Sequence, residues 1–194
     1  MDWHRSVRDL YNLIRALVKP HPGAFYDLPS QRVVLDRYLS INEVTALKYG
    51  SAGRQMLRGA DVVLRPTADL TSKACCRRRS NEKVEFSIRS CVTDDELGCC
   101  EVSNIDFARS VGEMSIRCTK NVAGWTLCGT AVAPLTEFAA NDLRLKHLMC
   151  RVEKDDGQLL EGLCRAGFVR DNLPETEGAI GDCGRTVMWR LETE

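Results

Sequence analysis

The sequence predicts an α/β layered fold, and three observations carry that expectation. The last third of the chain runs strand, glycine loop, helix, strand, helix, strand, an order that lays helices on a sheet. An amphipathic helix followed by prolines marks the N-terminus as a helical appendage. A chain of 194 residues with 44% hydrophobic content buries one good core, so one compact domain plus that appendage is expected rather than two crowded ones.

The elements follow in chain order. From Val7 to Val18 apolar residues recur at Leu10, Ile14, Leu17 and Val18, with Arg8, Asp9 and Arg15 largely opposite, until Pro20 and Pro22 end the helix. "RVVL" (32 to 35) is a short strand. Ser40 with Glu43 forms a capping box, so a helix is expected from Ile41 to about Leu57, interrupted near Gly50. "ADVVLRPTADL" (60 to 70) reads as a strand entering a polar turn. "KACCRRRSNEKVEFSIRS" (73 to 90) has no clean period, and its Arg77 to Arg79 cluster reads as a solvated face rather than a phosphate site. "VGEMSIRCTK" (111 to 120) alternates as a strand with Met114, Ile116 and Cys118 on one side. "TAVAPLTEFAAND" (130 to 142) is a helix in which Pro134 is tolerable only near the first turn. "LKHLMCRVE" (145 to 153) is a strand. "DDGQLLEGLCRAGF" (155 to 168) is a helix with Leu159, Leu160, Leu163 and Cys164 inward, stopped at Gly167. "RTVMWRLE" (185 to 192) is the last strand.

Charge and cysteine content exclude several classes. Lys plus Arg equals Asp plus Glu at 27 each, so no global field draws nucleic acid or anionic lipid. No apolar run approaches the roughly 20 residues of a membrane span, and the N-terminus lacks a signal-peptide core. A cytoplasmic protein with neither nucleic-acid nor membrane partners is expected, and a homo-oligomer is compatible with the sequence. Without a signal peptide the ten cysteines point to a reducing compartment and reduced thiols, and their two vicinal pairs with no Cys-x-x-Cys lack the ligand spacing of a metal site. Cys118, Cys128, Cys150 and Cys164 fall in or beside apolar runs, as small core residues do. His4, His21 and His147 give no Cys/His catalytic pattern.

A glycine-bearing loop between a strand and a helix gathers free N–H groups and the positive end of a helix dipole, which suits phosphate. Residues 120 to 131, "KNVAGWTLCGTA", have that form, although a plain turn has it too. Together with "GEMSIRC", "TAVAPLTEFAAND", "LKHLMCRVE" and "GQLLEGLCRAGF" they resemble the coenzyme-binding half of GNAT-type N-acetyltransferases. Upstream, "VVLRPTADLTS" is similar to that family's opening strand. "SNEKVEFSIRSCVTDDEL" is similar to a run in members that acetylate amino groups of nucleotide-linked sugars. The resemblance covers residues 61 to 194. It implies a mixed central sheet with flanking helices and acetyl-CoA as cofactor, with its phosphates on Val122, Ala123, Gly124, Trp125, Cys128, Gly129 and Thr130. It further implies that the strand around Met114, Ser115 and Ile116 opens from its neighbour and pairs with the pantetheine arm. Asp156 stands where the family places an Asn on that arm. The implied chemistry is attack of a neutral amine on a thioester, for which Glu113 and Glu137 are the candidate proton acceptors; Asp94 and Glu96 are candidates for the acceptor side.

A second resemblance sits at residues 1 to 28, ahead of a linker with a capped helix at 29 to 60. "DWHRSVRDLYNLIRALVKPHPGAFYD" (2 to 27) looks like the final helix and turn of formyltetrahydrofolate-dependent sugar N-formyltransferases. The residues that perform formyl transfer lie far upstream of that motif in the family, so no formyl transfer is expected here. Three readings follow: an N-acetyltransferase for a nucleotide-linked amino sugar, a catalytically degenerate binding or structural module, or a chain in which only the formyltransferase-like segment is meaningful and the remainder is an appendage.

Overall fold

Helix α1 (Val7–Ala16) forms where the amphipathic period predicts it. The Ser6 hydroxyl accepts the Asp9 N–H at 3.1 Å, meeting one of the free donors of the first turn. Val7, Leu10, Tyr11 and Ile14 form its buried face. The computed structural model describes residues 2–17, 24–27, 32–35, 39–49, 57–67, 83–118, 129–153, 157–170 and 186–192; for 24–27, 32–35, 153, 186–190 and 192 it describes the backbone alone.

Strands β1 (Ala24–Asp27) and β2 (Arg32–Leu35) pair antiparallel as a separate two-stranded sheet. Helix α2 (Ile41–Tyr49) starts at the predicted residue. The Glu43 N–H donates to Ser40 Oγ at 3.2 Å and the Ser40 N–H to Glu43 Oε2 at 2.8 Å, so the capping box is reciprocal. Residues 50 to 56, the rest of the expected helix, lie outside the described residues. Leu57 instead begins β3 (Leu57–Arg58), which folds back on β4 (Val62–Pro66) with the Gly59 N–H donating to Val62 O at 2.8 Å.

Strands β5 (Val84–Ser90), β6 (Glu96–Asp106), β7 (Val111–Cys118), β8 (His147–Glu153), β9 (Val169–Arg170) and β10 (Thr186–Glu192) complete the main sheet. Its eight strands run β3-β4-β5-β6-β7-β8-β10-β9. Every neighbouring pair is antiparallel except β7 and β8, which are parallel, so the sheet is mixed. The absence of a clean period over residues 73 to 90 does not hold at its end: Val84, Phe86 and Ile88 are buried in alternation with half-exposed Glu85, Ser87 and Arg89.

A short 3-10 turn (Gly129–Ala131) leads into α3 (Val132–Asn141), with Pro134 in the first turn where its missing N–H is harmless. Helix α4 (Gly157–Arg165) buries Leu159 and Leu163. Cys164, expected inward, is exposed. It lies about 100° further round the helix than Leu163, outside the narrow line that meets the core. Gly167 adopts φ +86°, and the Phe168 N–H returns to Leu163 O at 2.9 Å, closing the helix as its glycine predicts.

One apolar cluster joins α1, α2, the sheet, α3 and α4, so the N-terminal appendage contributes to the same core. The Phe138 ring of α3 meets Phe86 of β5 edge-on at 5.1 Å. At the end of α3 the buried Asp142 accepts from the Lys48 ammonium, the Tyr49 hydroxyl and, at 3.1 Å, the Val7 N–H. Its carbonyl accepts the Arg8 N–H at 3.0 Å, while Lys48 also donates to Arg5 O at 3.0 Å. Burial, and then the Asp142 carboxylate, push the Tyr49 hydroxyl pKa far above its ordinary value. The expectation of uniformly reduced cysteines fails at Cys118, which is disulfide-bonded; Cys91, Cys99, Cys100, Cys150 and Cys164 are free. A compartment argument has no access to which sulfurs the fold brings together.

Candidate functional site

The parallel pair at the centre of the sheet is closed at one end and open at the other. At the closed end the Lys146 and His147 N–H groups both donate to Ser110 O, at 2.7 and 3.1 Å. Gly112 admits Leu145 there, since a Cβ would stand 2.8 Å from Leu145 Cδ1. The register then runs from Val111 opposite His147 to Met114 opposite Cys150 and stops. Strand β7 nevertheless continues to Cys118 and β8 to Glu153.

Both strands are held on their far sides throughout. β6 still pairs with β7 at Gly98 and Cys118, and β10 still pairs with β8 at Thr186 and Glu153. The divergence is therefore a built V at the carboxyl ends of two parallel strands, the place where open α/β sheets receive ligands. Beyond Met114, the β7 backbone groups directed toward β8 have no ladder partner in that strand, and an extended ligand arm can hydrogen-bond there as an added strand would.

The predicted site residues fall around this V. Met114 is buried at its vertex, and Ser115 and Ile116 line the β7 arm. Gly129 and Thr130 open the 3-10 turn, after which the α3 N-cap, Ala131, makes no side-chain capping bond. Gly129 has a packing role of its own: a Cβ there would lie 2.8 Å from Gln158 O of α4, and one on Gly162 would lie 2.5 Å from Gly129 O. Val122, Ala123, Gly124, Trp125, Cys128 and Asp156, like Arg77 to Arg79, lie outside the described residues.

The two candidate proton acceptors are not brought together. Gly112 and Met114 face the core, so Glu113 between them faces outward, three-quarters buried, with its carboxylate 3.7 Å from the Arg151 guanidinium and accepting from Asn104 Nδ2 at 3.0 Å. Glu137 is exposed on α3, which packs on the other face of the sheet through Phe138. Asp94 occupies the β5–β6 turn at φ +58° and is paired with Arg65 at 2.9 Å and Arg89 at 3.3 Å.

Sequence reasoning missed the cleft beside the V. On the outward face Glu85, Glu101 and Ser115 stand in one cross-strand row, and Ser87, Cys99 and Arg117 in the next. Of these, Glu85, Cys99, Glu101, Ser115 and Arg117 line, with Thr67 and Cys100, a cavity of about 220 Å³. Ser115 Oγ donates to Glu101 Oε1 at 3.3 Å, and Lys83 and Arg117 lie 3.9 and 3.8 Å from Glu101 Oε2. A 2.7 Å hydrogen bond to Glu85 holds the Lys83 ammonium above its ordinary pKa. Burial, followed by its neighbours Cys99 and Glu101, pushes the Cys100 thiol far up, so it is a packing residue rather than a nucleophile. The alternation of "VEFSIRS" was the available signal, because it fixes which face carries Glu85.

No protein-family model matches the chain. A stretch of 35 residues is 49% identical to the bifunctional polymyxin resistance protein ArnA of Wigglesworthia glossinidia brevipalpis, spanning 18% of this chain and 5% of that protein. Among solved structures, the spermidine/spermine N-acetyltransferase SpeG of Vibrio cholerae is 13% identical at a TM-score of 0.53, covering 69% of this chain and 93% of that one. A protein assigned as an acetyltransferase from Sphaerobacter thermophilus is 12% identical at 0.54, covering 72% of this chain and 99% of its own. A third, assigned as a ribosomal-protein-serine acetyltransferase from Vibrio cholerae, is 12% identical at 0.53, covering 72% and 98%. These likenesses show the fold: the mixed sheet and flanking helices are those of GNAT-type acetyltransferases.

Proposed function

We propose that the chain is an N-acetyltransferase that moves an acetyl group from acetyl-CoA to the amino group of a nucleotide-linked amino sugar. The observation that carries the reading is the V between β7 and β8, which stays closed only as far as Met114 and Cys150. Bound there, the coenzyme would supply an acetyl group activated as a thioester. The Ser115 and Ile116 backbone would hold its arm. The turn at Gly129 and Thr130, with the side-chain-uncapped start of α3, would face its phosphates, together with residues 122–125 and 128.

Three features bear on the acceptor. The cleft lined by Glu85, Glu101, Ser115 and Arg117 shares β7 with the V and presents both carboxylates and cations, a match for a molecule carrying an amine and phosphates. The resemblance of residues 2 to 27 to sugar N-formyltransferases supports amino sugars, since sugar N-formylation and N-acetylation belong to the same pathways. Glu113 is the proton acceptor in this reading, because it sits one residue before the vertex, whereas Glu137 lies across the sheet.

Calorimetry with acetyl-CoA, followed by a thiol-release assay over nucleotide-linked amino sugars, tests the reading. Spermidine and a peptide with an N-terminal serine serve as competing acceptors. Sub-millimolar binding with preferential release on an amino-sugar nucleotide is the expected result. No binding at millimolar coenzyme overturns the reading, preference for spermidine or the peptide overturns the acceptor, and binding without transfer favours a degenerate binding module.

A further inference from the structure

A β-bulge next to Glu113 has the geometry of a positioning device. Ser103 of β6 pairs with Glu113 and Asp106 pairs with Val111, so Asn104 and Ile105 together face Gly112 alone. In an unbulged strand position 104 would share the inward face with Val102, which is fully buried. The extra residue changes that: Asn104 takes φ +51° and is exposed, while Ile105 packs against the core in its place. The Asn104 amide then reaches across to Glu113 Oε2 at 3.0 Å, and Arg151 of β8 approaches Oε1 at 3.7 Å. One carboxylate on β7 is thus held from β6 and β8 at the level where β7 and β8 begin to part.

We propose that Asn104 is a positioning residue that, with Arg151, holds the Glu113 carboxylate in the orientation for accepting a proton at the vertex of the V. The inference rests on the acetyl-transfer reading above. In that reaction Glu113 takes the proton shed by the neutral amine as its nitrogen bonds to the acetyl carbon and the C–S bond breaks. It then passes that proton to the departing sulfur, so amide and thiol are the products. A carboxylate with one oxygen tied by Asn104 keeps a fixed direction for the other, and misplacement of a proton acceptor by about 1 Å costs on the order of tenfold to a hundredfold in rate.

Asn104→Gly separates the side chain from the backbone, because glycine accepts the positive φ without strain. The measurements are acetyl-CoA affinity, melting temperature, and kcat against pH for the wild type, Asn104→Gly, Asn104→Asp and Glu113→Gln. Asn104→Gly should keep the affinity for acetyl-CoA and lose roughly tenfold in kcat with a displaced acidic limb of the pH profile. Asn104→Asp, which sets a second carboxylate against Glu113, should move that limb toward higher pH, and Glu113→Gln should abolish it. A kcat and pH profile unchanged in Asn104→Gly overturns the assignment. Wild-type binding of acetyl-CoA with no transfer to any amine also overturns it and leaves the coenzyme reading standing, while absence of binding overturns both.

Discussion

Replacing Asp142 with alanine tests the tie between the N-terminal helices and the end of α3. Its carboxylate accepts from the Val7 N–H, the Lys48 ammonium and the Tyr49 hydroxyl, and the Lys48 and Asp142 side chains are only 9% and 10% exposed. Truncation leaves an ammonium buried with one neutral partner, Arg5 O at 3.0 Å, and two further donors unmet. Removing one partner of a buried ion pair costs about 3–5 kcal/mol, most of it the penalty on the charge left behind. For a chain of this size that corresponds to a fall in melting temperature on the order of 10 °C. Urea unfolding of Asp142→Ala, Lys48→Met and the double variant separates the terms. The double variant should be markedly more stable than the sum of the single losses predicts, because no charge remains unpaired. A loss below about 1 kcal/mol in Asp142→Ala, a range typical of exposed ion pairs, would refute the reasoning.

Further outcomes follow from the same geometry. Because folding raises the Tyr49 pKa above its ordinary 10.0, its contribution is complete below pH 10 and declines above it as the unfolded chain alone ionises. Stability should therefore drop by up to about 1.4 kcal/mol per pH unit above 10 from this group, and Tyr49→Phe should flatten that decline in urea titrations at pH 9 to 11. Gly162→Ala places a Cβ 2.5 Å from Gly129 O. The clash should cost about 1–3 kcal/mol against a helix-propensity gain of about 1 kcal/mol, so chemical denaturation should show no stabilisation. Alkylation of the native protein should label Cys91 and Cys164 ahead of Cys100 and Cys150, and non-reducing peptide mapping should recover Cys118 in a disulfide-linked peptide.

What was legible in the sequence divides along physical lines. Caps and periods are local, so Ser40 with Glu43, Pro134 and Gly167 each marked an element end that the structure keeps. The 111 to 120 strand was legible because Met114 and Ile116 alternate with Glu113 and Ser115. Strand β6 was not, since the vicinal cysteines of "ELGCCEVSNID" blur its alternation, while the fold uses Cys100 inward and Cys99 toward the cleft. The opening of β7 from β8 came from a family resemblance rather than from residue pattern. A strand edge is left free by what its two neighbours do, and neighbours depend on pairings between segments far apart in the chain.

Glycine shows how far such a distinction reaches. At Gly129 the sequence offers one property, the lack of a side chain, and two consumers: a phosphate approaching the backbone, or a neighbouring helix. The structure gives the Cβ direction of Gly129 to Gln158 of α4, and that of Gly162 to Gly129 in return. Packing on α4 uses the Cβ direction of Gly129 and not its backbone N–H, the kind of group that meets an anion at a helix start. The two uses are compatible because they draw on different directions at one residue. A Gly129→Ala change would disturb the packing first and any ligand second. Loss of coenzyme binding in that variant would thus be no evidence for a direct contact, whereas a backbone-preserving change on the β7 arm, such as Ser115→Ala, would leave binding through the backbone intact.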